Sequence, residues 1–423
     1  MKIYFETYGC TLNQADTEIM KSVTKHEVVD SENDADVIVI NSCGVKGPTE
    51  SKIVNRLEEL KRAGKNVVIA GCLTANRKII DRFGYSAITT SAINRIDEAI
   101  EGAIRGEKRY INSLDRRGNI PKRFDPPIAK IPIQQGCLSA CHFCFTKLAR
   151  KYQSLGIGEI IRWINAALYD GCIELEFTGT DLGSYGKDIG VNLVELLRAI
   201  LNTDRDFRIR LGMSSPHYFR NMLSDLIQLY KDGRLYRFAH LSVQSGSERV
   251  VREMNRSHTV EDWIVVKDAF RSVFGDEFTM ATDIIVGYPT ETEEDFELTL
   301  KFIEQHRPDI VNLSKFTPRP GTVAARMRQL PSEIIKNRSV IANGLIKEIA
   351  SKNNQKHIGK EYRVLVTEKM KGRTDFYRQV VLDQDIELGS YVDVYIESAN
   401  HTSLFGRVLS KPIRSSSPRS NLS

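Results

Sequence analysis

Short apolar runs alternate with stretches of helical period from the third residue onward. Ile3–Tyr8, Val37–Asn41 and Val67–Ala70 read as buried strands, each followed by a helical pattern, near 12–24, 48–62 and 74–83. Strands alternating with helices predict a parallel sheet. Each apolar run leads directly into a cysteine: YFETYGC ends at Cys10, VIVINSC at Cys43 and VVIAGC at Cys72. The carboxyl ends of parallel strands share one edge, the edge where ligands bind. Three thiols about thirty residues apart in sequence are therefore expected to converge.

Residues 106–127, GEKRYINSLDRRGNIPKRFDPP, have no period and read as a linker. A longer series follows over 128–353. Strands are expected in IAKIPIQQG, IELEFTG, RIRLGMS, AHLSVQS, TDIIVGYP and IVNLSKFTP, and helices near 158–170, 191–203, 217–231, 259–273 and 292–306. Six strand–helix units are too few for a closed eight-fold barrel and suit an open, partial one. Polar residues gather just past the strand ends: Thr180 and Asp181, Ser214 and Ser215, Gln244 and Ser245, Thr317 and Arg319. A basic helix is expected at 334–356. Beyond it the period changes to two. In YVDVYIE, Val392, Val394 and Ile396 share one face, and with YRVLVTE, QVVLD and TSLFGRVL they predict a small all-β barrel. The last residues, PIRSSSPRSNLS, have a disordered composition.

Composition narrows the class. The chain has 423 residues, 41% of them hydrophobic and 27% charged, so two or three globular domains are expected. No stretch approaches the ~18 consecutive apolar residues of a membrane helix, and the amino terminus lacks the apolar core of a secretion signal. A cytoplasmic protein without a membrane anchor is expected. The net charge of +6 is mildly basic, compatible with nucleic acid without demanding it.

Seven cysteines, at 10, 43, 72, 137, 141, 144 and 172, are an odd number, which argues for metal binding or catalysis over a disulfide framework. The sharpest pattern is Cys137-x3-Cys141-x2-Cys144, at the end of the first strand of the second series. Thiolates suit iron–sulfur clusters, zinc or Cu(I). A 4Fe–4S cube takes four thiolates, so three leave one iron open to a small molecule. The alternative is a zinc knuckle completed by His142, disfavoured because His142 adjoins Cys141. Cys10, Cys43 and Cys72 have no short spacing; their force is placement, against the alternative of three unrelated buried thiols. Cys172 is expected to pack in the core.

With these residues in view, the chain resembles the methylthiotransferase branch of the radical S-adenosylmethionine (SAM) enzymes. The resemblance rests on ETYGCTLNQADTE, NSCGVK, AGCL, QGCLSACHFC, LSVQSGSERVVREMNR, TDIIVGYPTETEEDF and TPRPGTVAA, in order over residues 3–410, with a carboxyl-terminal barrel that looks like an RNA-binding TRAM domain. It implies that Cys137, Cys141 and Cys144 hold a 4Fe–4S cluster on which SAM is split to a 5′-deoxyadenosyl radical. It implies that Cys10, Cys43 and Cys72 hold an auxiliary 4Fe–4S cluster, where sulfur is methylated by a second SAM and passed to the substrate. Gly179, Thr180 and Asp181 resemble the segment lining SAM, and Ser214, Ser215, Gln244 and Ser245 would line SAM or substrate. After LGM the chain reads SSP, a departure from the family pattern. TKLAR at 146–150, followed by Leu155, looks like the archaeal and eukaryotic branch, which modifies N6-threonylcarbamoyladenosine at position 37 of tRNA. Lys151 stands where that branch has a glycine, and Ser154-Leu155 where it has Ser-Tyr.

The fold expected is thus α/β in three parts: an amino-terminal open parallel-sheet domain (1–108), a linker (109–127), a partial (βα)6 radical SAM core (128–355) and a small all-β TRAM barrel (356–414), with a disordered tail (415–423). tRNA is the expected partner, with an electron donor and a sulfur source besides. Lys369, Lys371, Arg373 and Arg378, beside Phe376 and Tyr377, combine charge with aromatics as RNA contacts do, or form a solvated turn. The competing activities are methylthiolation of isopentenyladenosine or of a ribosomal-protein aspartate, and a non-catalytic iron–sulfur RNA-binding protein or redox sensor.

Overall fold

The computed structural model describes residues 1–44, 47–113, 120–121 and 124–414. The tail 415–423 expected to be disordered, residues 114–119 and 122–123 of the expected linker, and Val45 and Lys46 of NSCGVK lie outside the described residues.

The amino-terminal strands are β1 (Lys2–Thr7), β2 (Glu27–Val28), β3 (Val37–Ser42), β4 (Asn66–Gly71), β5 (Ser86–Ile88) and β6 (Tyr110–Ile111), interleaved with helices α1 (Thr11–Val23), α2 (Gly47–Arg62), α3 (Arg77–Phe83) and α4 (Ile96–Ile104). They form one sheet of order β2-β1-β3-β4-β5-β6, and every pairing is parallel. β1, β3 and β4 are the three strands that the apolar runs predict. β2, β5 and β6 are two or three residues long, too short to carry a period. β6 lies inside the expected linker and extends the sheet past residue 108. Farther along that connector, Phe124 packs edge-on against Trp163 at 6.0 Å, and its backbone N–H donates to Asp170 at 2.7 Å.

The central elements are β7 (Ile128–Pro132), β8 (Gln134–Gln135), α5 (Thr146–Ala149), β9 (Gln153–Ser154), α6 (Ile157–Tyr169), β10 (Glu174–Thr178), α7 (Leu193–Leu201), β11 (Arg208–Leu211) and β12 (Met213–Ser214). They continue with α8 (Pro216–Asn221), α9 (Leu223–Leu229), β13 (Phe238–Leu241), α10 (Glu248–Glu253), α11 (Val260–Phe274), β14 (Thr279–Val286), α12 (Glu293–His306), β15 (Ile310–Lys315) and α13 (Ser332–Gln355). The sheets run β11-β10-β7 and β12-β13-β14-β15, all parallel. β11 and β12 are one run broken at Gly212, where a Cβ would come within 2.7 Å of the Phe177 carbonyl. Six strands thus follow one another as an open barrel. Its helices start where side chains satisfy the first N–H groups: Asn192 with Glu195 caps α7, and Thr292 with Asp295 caps α12. Each such cap contributes about 1 kcal/mol.

The last strands are β16 (Glu361–Glu368), β17 (Lys371–Thr374), β18 (Gln379–Leu382), β19 (Ser390–Ala399), β20 (Leu404–Val408) and β21 (Ile413–Arg414). The order β16-β17-β18-β20-β19 closes through a β16–β19 pairing into a five-stranded barrel. Val364, Val366, Val380, Val392, Val394, Ile396 and Leu404 fill it, so the period-two face of YVDVYIE points inward as expected. Among the described residues no helix is long and apolar enough to cross a membrane.

Candidate functional site

Strand order positions the first three thiols. In a 2-1-3-4-5 sheet the order reverses between β1 and β3, opening a crevice at their carboxyl ends. The pairings Thr7 with Asn41 and Ser42 with Gly71 bring the ends of β1, β3 and β4 level. Cys10 precedes α1, Cys43 follows β3 and Cys72 follows β4. A buried pair of amides stitches these ends together. Asn13 donates to the Asn41 side chain at 3.1 Å and the Ser42 carbonyl at 3.2 Å, and Asn41 donates back to the Asn13 carbonyl at 2.7 Å. The Cys10 thiol donates to Asn13 Oδ1 at 3.4 Å. Gly71 has φ +88, and a Cβ there would lie 2.3 Å from Asn41 Oδ1, so no other residue fits between β4 and this pair. Cys10 is exposed, while Cys43 and Cys72 are buried. Burial pushes the Cys72 thiol up to about 11; Arg150 opposes this, and the nearby Cys10 and Cys43 sulfurs add to it.

The second triad lies on the loop after β8. Ser139 N–H donates to Cys137 Sγ at 3.3 Å, and Arg256 Nη1 donates to Cys141 Sγ at 3.2 Å. The loop is fastened to the end of α10: His142 N–H donates to the Met254 carbonyl at 3.0 Å, and Asn255 Nδ2 donates to the Ala140 carbonyl at 2.9 Å. All three thiols are half-buried. Burial, and then the Asp181 carboxylate, raise Cys137 to about 11; burial raises Cys141 against the pull of Arg256.

Beside this loop Asp181 organises the strand ends. Its carboxylate accepts from Ser214 Oγ at 3.1 Å, Ser215 N–H at 3.0 Å and Ser215 Oγ at 2.7 Å. Gln134 Oε1 accepts the N–H groups of Thr180 and Asp181 at 3.0 and 3.3 Å. Arg256 Nη2 donates to Ser215 Oγ at 3.1 Å, completing a chain from Asp181 through Ser215 and Arg256 to Cys141. Gly179 cannot bear a Cβ, which would meet Gln134 Oε1 at 2.7 Å. Gln244 takes the left-handed conformation, φ +73, with its side-chain oxygen buried and unbonded among the described residues.

The segment leaving Cys144 joins the two triads. The Phe145 ring lies against Gly44, next to Cys43, where a Cβ would approach the ring to 2.5 Å. Arg150, 3% exposed, donates Nε to Cys72 Sγ at 3.3 Å and pairs Nη2 with buried Asp16 at 2.6 Å. Thr90 Oγ1 donates to the Ala149 carbonyl at 2.7 Å.

The sequence-predicted residues divide accordingly. Gly179, Thr180, Asp181, Ser214 and Ser215 come together beside the loop of Cys137, Cys141 and Cys144, while Cys10, Cys43 and Cys72 lie at the strand ends of the amino-terminal sheet, beside the segment that follows Cys144. Ser245 is a correction: fully buried, its hydroxyl bonds Thr299 and accepts the Ser247 N–H, each at 3.1 Å, so it braces the β13–α10 turn against α12 and is closed to a ligand. Cys172 is fully buried in the core. Among the described residues no group of three His, Cys, Asp or Glu side chains is arranged to hold a single metal ion.

In the small barrel Lys369 is exposed, and Lys371 and Arg373 each lie 3.7 Å from Glu368. Arg378 is a second correction. It is 5% exposed and ion-paired with Asp309 at 2.5 Å, inside the contact between the small barrel and the central one. Its neighbours point the same way: Phe376 stacks on His357 at 5.0 Å, Tyr377 donates to Glu176 at 3.2 Å, and Thr279 Oγ1 donates to the Phe376 carbonyl at 2.6 Å. The 375–378 turn docks the small barrel on the amino-terminal end of the central one. Arg150, Arg256 and Gln134 were not singled out by sequence. Arg150 and Arg256 stand inside quoted motifs, but only the fold reveals that they touch sulfur.

An open parallel barrel with three cysteines at the mouth of its first strand, beside a buried aspartate–serine network, is the architecture of a radical SAM enzyme, and residues 131–303 match the radical SAM superfamily. Residues 2–88 match the uncharacterized protein family UPF0004 and residues 355–409 the TRAM domain. The "Probable threonylcarbamoyladenosine tRNA methylthiotransferase" of Archaeoglobus fulgidus is 40% identical, with 96% of this chain and 99% of that protein covered. The protein of the same description from Pyrococcus horikoshii is 39% identical, covering 97% and 100%. The "Threonylcarbamoyladenosine tRNA methylthiotransferase" of Drosophila melanogaster is 34% identical, covering 96% and 78%. The chain belongs to the threonylcarbamoyladenosine tRNA methylthiotransferase family. Among solved structures, the radical SAM methyltransferase TsrM from Kitasatospora setae shares the fold, with a TM-score of 0.55 and 12% identity over 77% of this chain and 75% of that one.

Membership in the radical SAM superfamily brings SAM and a 4Fe–4S cluster, and the second triad fits them. Three soft donors lie on one loop, and beside it the buried Thr180 Oγ1 and Arg256 Nε bond nothing among the described residues.

Proposed function

We propose that this chain methylthiolates carbon 2 of N6-threonylcarbamoyladenosine at position 37 of tRNA, using two 4Fe–4S clusters. Cys137, Cys141 and Cys144 hold the cluster that takes SAM; Cys10, Cys43 and Cys72 hold the auxiliary one. Bound there, the cofactors supply the one-electron chemistry that breaks an unactivated aromatic C–H bond and the sulfur and methyl group that replace the hydrogen. The protein's work is placement. Asp181 fixes Ser214 and Ser215 and, through Arg256, the orientation of the Cys141 loop. Gly179, Thr180 and Gln244 line the SAM side of the cleft. Arg150 carries positive charge to the Cys72 sulfur.

The observation that carries this reading is the joining of the two triads: the residues that follow Cys144 pack on Gly44 and bond Cys72. Division of labour follows the chain, with the auxiliary site in 1–108, the SAM core in 128–355 and tRNA contact through Lys369, Lys371 and Arg373 of the barrel at 356–414. The reaction draws on an electron donor and a sulfur source, and the setting is the cytoplasm. Anaerobic reconstitution with iron and sulfide tests it: about eight irons per chain for two cubanes, falling to about four when Cys10, Cys43 and Cys72 are all changed to Ala. Four irons in the unaltered chain, or zinc in their place, would overturn it.

A further inference from the structure

Arg319 follows β15 in the run TPRPGT, held between Pro318 and Pro320. It is 5% exposed, yet only one corner of its guanidinium is engaged: Nη1 pairs with Glu50 Oε2 at 2.6 Å. Nε and Nη2 are buried and bond nothing among the described residues. A buried guanidinium normally satisfies its donors, because stripping them of water without replacement is costly. The two unused nitrogens are not scattered. Nε and Nη2 form one edge of the planar group, the edge whose parallel N–H bonds match the two oxygens of a carboxylate or phosphate.

Its surroundings place Arg319 between the elements that carry the two triads. Glu50 belongs to the first turn of α2, the helix that follows Cys43. The Arg319 loop lies along the segment that carries and follows the second triad: Ala324 N–H donates to the His142 carbonyl at 2.9 Å, and Gly321 sits against Leu148, 2.9 Å from where a Cβ would stand. Arg319 therefore spans the junction between the strand ends that carry the two triads. Glu50 restrains the guanidinium without using the fork.

We infer that Arg319 is a substrate-recognition residue that binds an oxyanion of the target nucleotide bidentately through Nε and Nη2. The inference rests on the function proposed above. An N6-threonylcarbamoyladenosine in tRNA offers two such groups, the threonine carboxylate and the flanking phosphodiester. Both present paired oxygens to the same fork.

The test is the affinity of the reconstituted full-length protein for two anticodon stem-loops, one with threonylcarbamoyl on adenosine 37 and one with plain adenosine, read by fluorescence anisotropy. Arg319→Gln is expected to lose at least tenfold. Loss confined to the modified stem-loop identifies the carboxylate as the ligand; equal loss on both identifies the phosphate. Arg319→Lys, which keeps the charge without the fork, loses most of the same affinity. Glu50→Gln, which breaks the ion pair but leaves the fork, stays within threefold of the unaltered protein. Iron content and melting temperature are measured for each variant. Unchanged affinity in Arg319→Gln, or a Glu50→Gln loss as large as that of Arg319→Gln, overturns the inference. Failure of the unaltered enzyme to methylthiolate the modified stem-loop would instead sink the function.

Discussion

Arg150 reaches out of the SAM core with Nε to the sulfur of Cys72 in the amino-terminal sheet, 3.3 Å away, while its Nη2 is locked to Asp16 at 2.6 Å. A cation this deeply buried is held by its partners, and removing one strands the other. Breaking such a pair costs about 3–5 kcal/mol. Arg150→Gln is expected to lower the denaturation midpoint strongly, and the double change with Asp16→Asn to recover much of the loss. Chemical denaturation of the single and double variants measures the coupling; additive losses would deny it.

Asp181 accepts three hydrogen bonds from Ser214 and Ser215 beside the SAM loop. Asp181→Ala leaves those donors buried without an acceptor and frees the Ser215–Arg256 link. SAM affinity is expected to fall at least tenfold, about 1.4 kcal/mol, with iron content unchanged. Asp181→Asn, which still accepts, loses less. Anaerobic equilibrium dialysis with SAM reads both, and unaltered affinity in Asp181→Ala contradicts the role.

Much of this was legible in the chain. Cys10, Cys43 and Cys72 were placed by the simple fact that parallel strands end on one edge, and β1, β3 and β4 have enough apolar residues for the pattern to register. β6 and β17 did not show, because a two-residue strand and a four-residue strand reading Lys-Gly-Arg-Thr have no hydrophobic period. Arg378 and Ser245 misled for a related reason. Charge and hydroxyl groups in a loop look solvent-facing until the fold supplies Asp309 or Thr299 as a buried partner. Arg319 registered only as a polar residue past a strand end, and Arg256 not at all, because their partners, Glu50 and Cys141, are 269 and 115 residues away in sequence.

The small barrel separates two kinds of cation. Lys369→Ala is expected to weaken tRNA binding uniformly across sequences and reduce the slope of log affinity against log salt by about 1. Arg378→Gln is expected to lower the melting temperature, since Asp309 loses a buried partner, while the salt slope stays constant. Salt titrations of tRNA binding alongside thermal melts distinguish them; a reduced slope for Arg378→Gln would restore it to the RNA surface.

Glu174 lies where the same barrel docks, accepting from Tyr236 at 2.8 Å. Burial, and then the neighbouring Glu176, lift its carboxyl to about 7, with Tyr236 and the cations Arg373 and Arg210 opposing. The folded state thus holds a proton that the unfolded chain releases near the ordinary carboxylate value. The resulting stability is full below about pH 4.5, declines as pH rises and is lost above pH 7. Glu174→Gln, neutral at every pH, should melt higher than the unaltered protein at pH 8 and show a shallower decline between pH 5 and 7. Parallel melting curves across that range decide it.

The central claim is that six cysteines in two joined triads serve one reaction on tRNA. Nucleoside mass spectrometry of tRNA settles it most directly, in a host that makes threonylcarbamoyladenosine but lacks its own methylthiotransferase. Expression of this chain should convert that nucleoside to its 2-methylthio form, and Cys72→Ala or Cys141→Ala should abolish the product. An unmodified nucleoside pool with the unaltered chain, or product persisting in Cys72→Ala, would contradict it.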